Sequence, residues 1–133
     1  MSKVYFKHCI IPCVDNEVTR WHVAHGWIWD VVECSSCRKI GVFFVTLLCG
    51  DGGIIHFYKA PGITLDGTTV LSAFRRGIGL AAAHCNVVYA TVPVVNSKLI
   101  RCLKCLDFVE CSNGGFFREA AEIKLLKYLP PPK

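Results

Sequence analysis

The chain has 133 residues, a mass of 14.8 kDa and a formal net charge of +5 at neutral pH. This length is enough for one hydrophobic core but not for two, and the hydrophobic fraction of 53% excludes disorder for most of the chain. The longest apolar run, from Ile40 to Cys49, is too short for a membrane-spanning helix, and the first residues lack a signal-peptide pattern. We therefore expect one domain over residues 1–129, a proline-rich tail over residues 130–133, no membrane partner and a cytoplasmic location.

The net charge suits an anionic partner. Fifteen basic residues against ten acidic residues fit a phosphate-bearing cofactor or a nucleic acid, and the charge does not choose between them. The basic residues are scattered along the chain, and the densest cluster is the pair Arg75 and Arg76. Because nucleic-acid-binding arms carry polybasic runs, this distribution disfavours a nucleic-acid partner.

Apolar periodicity and turn residues predict strands and helices in an alternating order. We expect a strand from Val4 to Ile11, a helix that begins at Asp15–Glu17 and ends at Gly26, strands from Ile28 to Cys34 and from Lys39 to Cys49, a strand from Ile54 to Lys59, a helix from Thr68 to Cys85, a strand from Val87 to Val92, a helix from Asn96 to Leu106 and a strand from Phe108 to Cys111. The last segment, Phe116 to Leu129, combines helix formers with apolar alternation, and we favour a strand there. This order predicts an α/β or α+β fold with a mixed sheet.

Nine cysteines are many for a chain of this length, and their odd number without a secretion signal disfavours a disulfide scaffold. Cys34 and Cys37, and Cys102 and Cys105, form two CxxC pairs with the spacing of zinc ligands. The pairs lie far apart in the chain, and the second pair falls in an amphipathic helix. We therefore favour buried, reduced thiols that pack as small hydrophobes and expect no metal, while a zinc-binding interaction module and redox chemistry are the alternatives.

The stretch from Ile54 to Cys111 resembles the core of the GNAT superfamily of acyl-CoA N-acyltransferases. Its parts are the strand from Ile54 to Lys59, Gly67-Thr68-Thr69 at the start of a helix, the strand from Val87 to Val92 and the Asn96-led helix that ends at Leu106-Asp107-Phe108. More narrowly, the chain is similar to small, divergent GNAT-like proteins encoded by bacteriophages. The resemblance implies a GNAT-like fold with a mixed, mostly antiparallel sheet flanked by helices.

The resemblance also implies a coenzyme A site, with acetyl-CoA as the cofactor. A helix N-terminus has unpaired N–H groups and a partial positive charge, so a pyrophosphate is bound well there when no side chain blocks it. The residues implied for this site are Phe57, Tyr58, Lys59, Gly67, Thr68, Thr69 and Asn96. Residues 75–81 also match the glycine-rich loop pattern, but they leave too little helix before Val87, so we place them inside the helix.

Candidate catalytic residues are His56, Glu33 and Tyr89, with His56 or Glu33 as a base that removes the amine proton and Tyr89 as a proton donor. The family often has a tyrosine on the helix after Asn96, and the corresponding position here is Leu103. In addition, Thr64 and Thr69 stand where the family prefers Arg or Gln and Gly or Ala.

The function implied is transfer of an acyl group, with acetyl favoured, from acyl-CoA to an amine by direct attack. The alternative is a GNAT-fold protein without catalysis that acts as a structural or interaction component, for example in a phage particle or bound to a host protein. The partners expected are accordingly acyl-CoA and an amine, or a protein, with a homo-oligomer left open. If the protein is phage-encoded, its location is the host cytoplasm or the virion.

Overall fold

The computed structural model describes residues 3–48, 50–111, 116–118 and 121–131. The strands in these residues are β1 (Val4–His8), β2 (Ile28–Glu33), β3 (Arg38–Leu47), β4 (Gly52–Lys59), β5 (Val87–Pro93), β6 (Val109–Glu110), β7 (Phe116–Arg118) and β8 (Ala121–Tyr128). The helices are α1 (Glu17–His25), α2 (Gly67–Ala82) and α3 (Ser97–Cys105). Within these residues, no helix has the length and apolar character needed to cross a membrane.

All the strands belong to one sheet, in the order β1-β2-β3-β4-β5-β8-β6, with β7 paired to β8. The pair β4–β5 is parallel, and the other pairs are antiparallel. A parallel pair needs a crossover connection, and α2 supplies it. The predicted fold class, a mixed and mostly antiparallel sheet flanked by helices, is confirmed.

The two faces of the sheet are covered by different helices. The larger core lies under α2 and α3, whose Phe74, Ile78 and Leu103 pack with strand residues such as Phe43. A smaller cluster around Phe44 lies on the other face. There α1 packs through Val23 against this cluster, and its buried His22 contacts the ring of Phe44.

Both predicted ends of α1 are confirmed by helix caps. The Asn16 side chain accepts a hydrogen bond from the Thr19 amide at 2.9 Å, and the Thr19 hydroxyl completes a capping box at the start of α1. Gly26 ends α1 in the left-handed conformation, with φ of 76°. These ends were predictable because capping depends on residues close together in sequence.

Several predicted boundaries differ from the structure by one or two residues, and two differ by three. The first strand ends at His8 rather than Ile11, because its partner β2 begins at Ile28 and offers no ladder beyond the bond from the Cys9 amide to the Ile28 carbonyl. The helix α2 ends at Ala82 rather than Cys85.

The two glycines inside α2, Gly77 and Gly79, leave the helix intact through Ala82. Gly77 is buried where the ring of Phe43 packs against the helix backbone, and a Cβ there would overlap that ring. Gly79 is exposed, with open space around it. Close packing of the helix on the sheet therefore explains the glycine at position 77 but not the glycine at position 79.

The last segment forms strands as predicted, but two of them rather than one: β7 and β8 pair with each other, and β8 pairs with β5 from Ile123 to Tyr128. The division of the chain into a domain over residues 1–129 and a tail over residues 130–133 stays a prediction. Cys49, Pro132 and Lys133 lie outside the described residues.

Candidate functional site

The central feature of the sheet is an opening between β4 and β5. The two strands pair only from Gly52–Val87 to Ile54–Tyr89 in the described residues. Beyond these positions each strand stays paired on its outer side, β4 with β3 as far as Lys59 and β5 with β8 as far as Pro93. The inner edges of both strands therefore present backbone N–H and C=O groups to the opening, and such groups bind a polar ligand when one is available.

A small cavity of about 140 Å³ lies in the opening itself. It is lined by residues of both strands and both nearby helices: Ile55, His56, Phe57, Tyr58, Phe74, Ala90, Thr91, Val92, Leu99 and Leu103. Most of this lining is apolar, and His56, Tyr58 and Thr91 supply its polar side chains. The cavity can therefore enclose a small group beside a few polar atoms.

A larger cavity of about 610 Å³ adjoins the small one and shares Phe57, Phe74 and Leu99 with it. It lies between the end of β4, the start of α2 and the start of α3. Its charged and polar lining residues are Lys59, Thr64, Asp66, Asn96 and Lys98. The dimensions and lining suit an elongated ligand with a polar end near the helix starts and an apolar end toward the small cavity.

The start of α2 is capped by Asp66. Its carboxylate accepts hydrogen bonds from the Thr69 amide at 2.7 Å and the Thr68 hydroxyl at 3.0 Å. The bonds from Thr69 and Thr68 lower the pKa of this carboxyl below its usual value. The amides of Gly67 and Thr68 form no hydrogen bond within the described residues, so two donors stay open beside one negative charge.

Gly67 leaves space at this helix start, because a Cβ added to it would have no atom within 4 Å. Packing within the described residues therefore does not require glycine at position 67.

The start of α3 also faces the larger cavity. Asn96 caps this helix by accepting a hydrogen bond from the Leu99 amide at 3.3 Å, as predicted, and it lines the cavity. Lys98, in the first turn, adds a positive charge to the same wall, and Lys59 adds another from β4. Two helix starts and two lysines thus favour an anionic group at this end of the cavity.

The structure brings together most of the predicted cofactor residues. Phe57, Lys59, Gly67 and Asn96 line the larger cavity, and Tyr58 lines the smaller one. Thr68 and Thr69 lie at the same helix start but are engaged by Asp66, and Thr69 is buried. The match to the glycine-rich loop at residues 75–81 falls inside α2, as predicted.

One of the three predicted catalytic residues, His56, lines a cavity in the opening, and Glu33 and Tyr89 do not. The ring of His56 stacks on Phe44, with centroids 4.6 Å apart. Ile28 on β2 lies level with His56 on β4, because both pair with Phe44 on the strand between them. Glu33 is five residues beyond Ile28 on β2, so it lies about 16 Å further along the sheet than His56. Glu33 there binds Ser36 at 2.7 Å and Arg38 at 3.6 Å.

Tyr89 also lies away from the opening. Its ring covers Gly52, where a Cβ would lie 3.2 Å from the tyrosine ring, at the end where β4 and β5 are still paired. The structure thus does not gather Tyr89 and Glu33 around His56. A catalytic role for these three residues stays a prediction.

Sequence reasoning missed several lining residues, chiefly Val70, Phe74, Lys98, Leu99 and Cys102. Lys98 carried a usable signal, because a cation two residues after the predicted cap of Asn96 necessarily lies at the helix start. The apolar residues gave no such signal, since core and cavity positions look the same in sequence.

The expectation of buried thiols is correct only in part. Cys9 and Cys85 are buried, whereas Cys34, Cys37 and Cys105 are exposed and Cys102 is half-buried. Exposure arises because Cys34 and Cys37 fall at the β2–β3 turn, and Cys105 falls at the last turn of α3. Within the described residues, no group of three or more His, Cys, Asp or Glu side chains has the arrangement to hold a metal ion.

The buried thiols are poor nucleophiles. Burial, together with the neighbouring Asp30 carboxylate, raises the pKa of Cys9 to about 12. Burial also raises the pKa of Cys102, which lines the larger cavity. Since the thiolate is the reactive form, these cysteines stay protonated near neutral pH and act as small apolar side chains.

Comparison with solved structures identifies the fold. A chimera of spermidine N-acetyltransferase SpeG from Vibrio cholerae and hSSAT aligns at a TM-score of 0.72 with 13% identity, over 96% of this chain and 96% of that chain. The spermidine N-acetyltransferase from Vibrio cholerae in complex with CoA and spermine aligns at 0.68 with 17% identity, over 85% and 72%. A GNAT-family acetyltransferase from Bacillus anthracis aligns at 0.66 with 15% identity, over 87% and 76%.

No protein-family profile matches the sequence, and no curated protein matches it. The structural likeness spans nearly the whole chain and includes the sheet and the helices around the opening between β4 and β5. The chain therefore has the fold of the GNAT acetyltransferases.

Proposed function

We propose that the protein binds an acyl-CoA and transfers its acyl group, with acetyl favoured, to an amine. The observation that carries this proposal is the opening between β4 and β5, which connects a cavity at two helix starts with a small cavity inside the sheet. Fold alone does not decide function. The support comes from the site, whose shape and charge match a long ligand with phosphates at one end.

The residues present fit the phosphate end of coenzyme A. The open amides of Gly67 and Thr68 and the ammonium groups of Lys59 and Lys98 are suitable donors for a pyrophosphate. Asp66 opposes this arrangement, since it takes the Thr69 amide and adds a negative charge. The two lysines and two open amides outnumber the single carboxylate of Asp66, so the site still favours an anion. The preference is weaker than it would be at a helix start without an acidic cap.

The other residues would position the reactants. The inner edges of β4 and β5 would hydrogen-bond the amide groups of an extended arm, as an added strand does. Acyl-CoA would supply the acyl group as a thioester at the small cavity, where the amine would form the new amide bond as the C–S bond breaks and CoA leaves as the thiolate. His56 would accept the proton of the attacking amine, while Leu103, fully buried in the wall, donates no proton.

The first test is calorimetric titration with acetyl-CoA of the protein and of two matched variants. Gly67→Glu places a carboxylate at the start of α2, and Gly79→Glu makes the same change at another open, exposed position of that helix. We expect micromolar binding by the wild type, binding at least about tenfold weaker by Gly67→Glu because of charge repulsion, and unchanged binding by Gly79→Glu.

The second test is acetyl transfer to a panel of amines that includes spermidine and spermine, the polyamines named for the V. cholerae enzymes above. We expect transfer to at least one amine, and a loss of about a hundredfold in kcat for His56→Gln, with coenzyme affinity retained. Absence of binding at millimolar acetyl-CoA would exclude the enzyme function.

A protein that keeps the fold without catalysis is the second candidate. Two observations favour it: Leu103 at the place of the family's tyrosine, and the Asp66 cap at the helix start. This second candidate function predicts that no amine is acetylated and that the purified chain captures a protein partner. Coenzyme binding without transfer would support this candidate over the first.

A further inference from the structure

A second recess lies away from the opening between β4 and β5. It has a volume of about 330 Å³ and lies between the start of β1, the β2–β3 turn and the outer side of α2. Its lining includes Lys3, Cys34, Ser72, Arg75 and Arg76, and it shares no residue with the two cavities described above. We call this recess the α2–β1 groove.

The residues that line the α2–β1 groove include more cations than acids. Lys3, Arg75 and Arg76 line it, and no carboxylate does. Some cations of the described chain are neutralised by carboxylates: Arg20 binds Asp15 at 3.2 Å, Lys39 binds Asp30 at 3.2 Å, and Lys124 binds Glu110 at 2.6 Å. The three cations of the groove form no ion pair within the described residues.

The neighbouring acid does not cancel this charge. Glu33 pairs with Val4 across β1 and β2, close to the groove. Its carboxylate is already bound by the Ser36 hydroxyl at 2.7 Å and by Arg38 at 3.6 Å. The Glu33 charge is therefore compensated by Arg38, while Arg75 also lines a neighbouring recess that contains Asp107.

Secondary structure holds the donors at fixed positions. Ser72 and Arg76 are four residues apart on α2, so their side chains lie on the same side of that helix. The Ser72 hydroxyl forms no hydrogen bond within the described part of the chain and is a further donor. Because α2 packs tightly on the sheet through Ala73 and Gly77, the backbone that carries both arginines is rigid.

From these observations we propose that the α2–β1 groove is a binding site for a small anion with adjacent phosphate groups. Arginine pairs with phosphate through two parallel hydrogen bonds, and two arginines with one lysine match two or three negative charges. A volume of about 330 Å³ is enough to hold a diphosphate or the terminal phosphates of a small organic molecule. This site is independent of the proposed acyl transfer.

The test is a two-dimensional ¹H–¹⁵N NMR titration of the whole chain with inorganic pyrophosphate, and separately with adenosine triphosphate. We expect shifts of the amides around Lys3, Ser72 and Arg76 with both ligands. Equal affinities would assign recognition to the phosphates alone, and tighter binding of the nucleotide would assign an organic phosphate as the natural ligand. Both results support the site.

Variants separate the groove from the larger cavity. The double change Arg75→Gln with Arg76→Gln should weaken the groove response by about tenfold or more, since two charged donors are lost. Arg101→Gln, at an exposed arginine of α3 that lines neither the groove nor the two cavities, should leave the response unchanged. Shifts confined to Gly67 and Thr68, no shifts, or equal affinity in the double variant would overturn the proposal.

Discussion

The two halves of the sheet meet different demands. From β1 to β4 the strands pair along their whole length, and the side chains of Val42, Phe43 and Phe44 are fully buried. Between β4 and β5 the pairing stops after Ile54 and Tyr89, and Phe57 stays half-buried beside two cavities. The closed half thus supplies stability, and the open half gives up pairing and packing to form a candidate binding site.

The largest expected effect separates these halves directly. Phe43→Ala removes a fully buried ring from the closed half and should lower the free energy of unfolding by about 3–5 kcal/mol. Phe57→Ala removes a half-buried ring from a cavity wall and should lower it by much less, while weakening acetyl-CoA binding. Urea unfolding of both variants gives the comparison, and equal losses of stability would contradict the division between the halves.

A second, intermediate effect tests how the closed half contacts α2. Gly77→Ala places a methyl group against the buried ring of Phe43, and the overlap should destabilise the protein by about 1–3 kcal/mol. Gly79→Ala, in the same helix with open space, should instead stabilise it by up to about 1 kcal/mol, because alanine favours helix more than glycine. Thermal unfolding followed by circular dichroism measures both. Stabilisation by Gly77→Ala would show that the helix does not pack this closely on β3.

The smallest effect concerns the open half and pH. The folded pKa of Asp66 lies below its unfolded value because of the bonds from Thr69 and Thr68. The charged cap therefore contributes its full stability above the usual carboxyl pKa of 3.8 and loses it as pH falls through the lowered folded pKa. Asp66→Asn keeps a capping oxygen without the titration.

The difference in melting temperature between the wild type and Asp66→Asn should be constant near neutral pH and should change only below about pH 5. The same variant should bind acetyl-CoA more tightly, because a negative charge beside the open amides is removed. A melting difference that varies between about pH 6 and pH 8 would point to another group and contradict this assignment.

The elements predicted correctly are those with local signals. Asn16 and Asn96 begin helices because a side-chain oxygen bonds an amide three residues later, which is visible in the sequence. Alternation also predicts strand structure from Phe116 to Leu129 despite the helix-forming residues there, and β7 and β8 fall in this segment. The end of β1 is wrong because a strand ends where its partner does, and that partner lies twenty residues away in the chain.

The candidate site divides in the same way. Gly67, Asn96, Lys59 and Phe57 line one cavity, as the resemblance to the GNAT superfamily implied, because motif spacing places helix starts beside the end of β4. Glu33 and Tyr89 fall outside it. The order of the strands does not give their register, so it does not tell at which end of the sheet a side chain lies.

By itself, the sequence determined the order of strands and helices as far as α3, both ends of α1 and the helix starts next to Asp66 and Asn96. These features depend on contacts within a few residues, so short-range patterns are enough. Only the tertiary structure decided that β4 and β5 part after Ile54, that Asp66 takes the Thr69 amide and that Lys3 joins Arg75 and Arg76 in one groove. These features depend on how α2 packs on strands that are far apart in sequence, and the core that holds α2 contains residues from most of the chain.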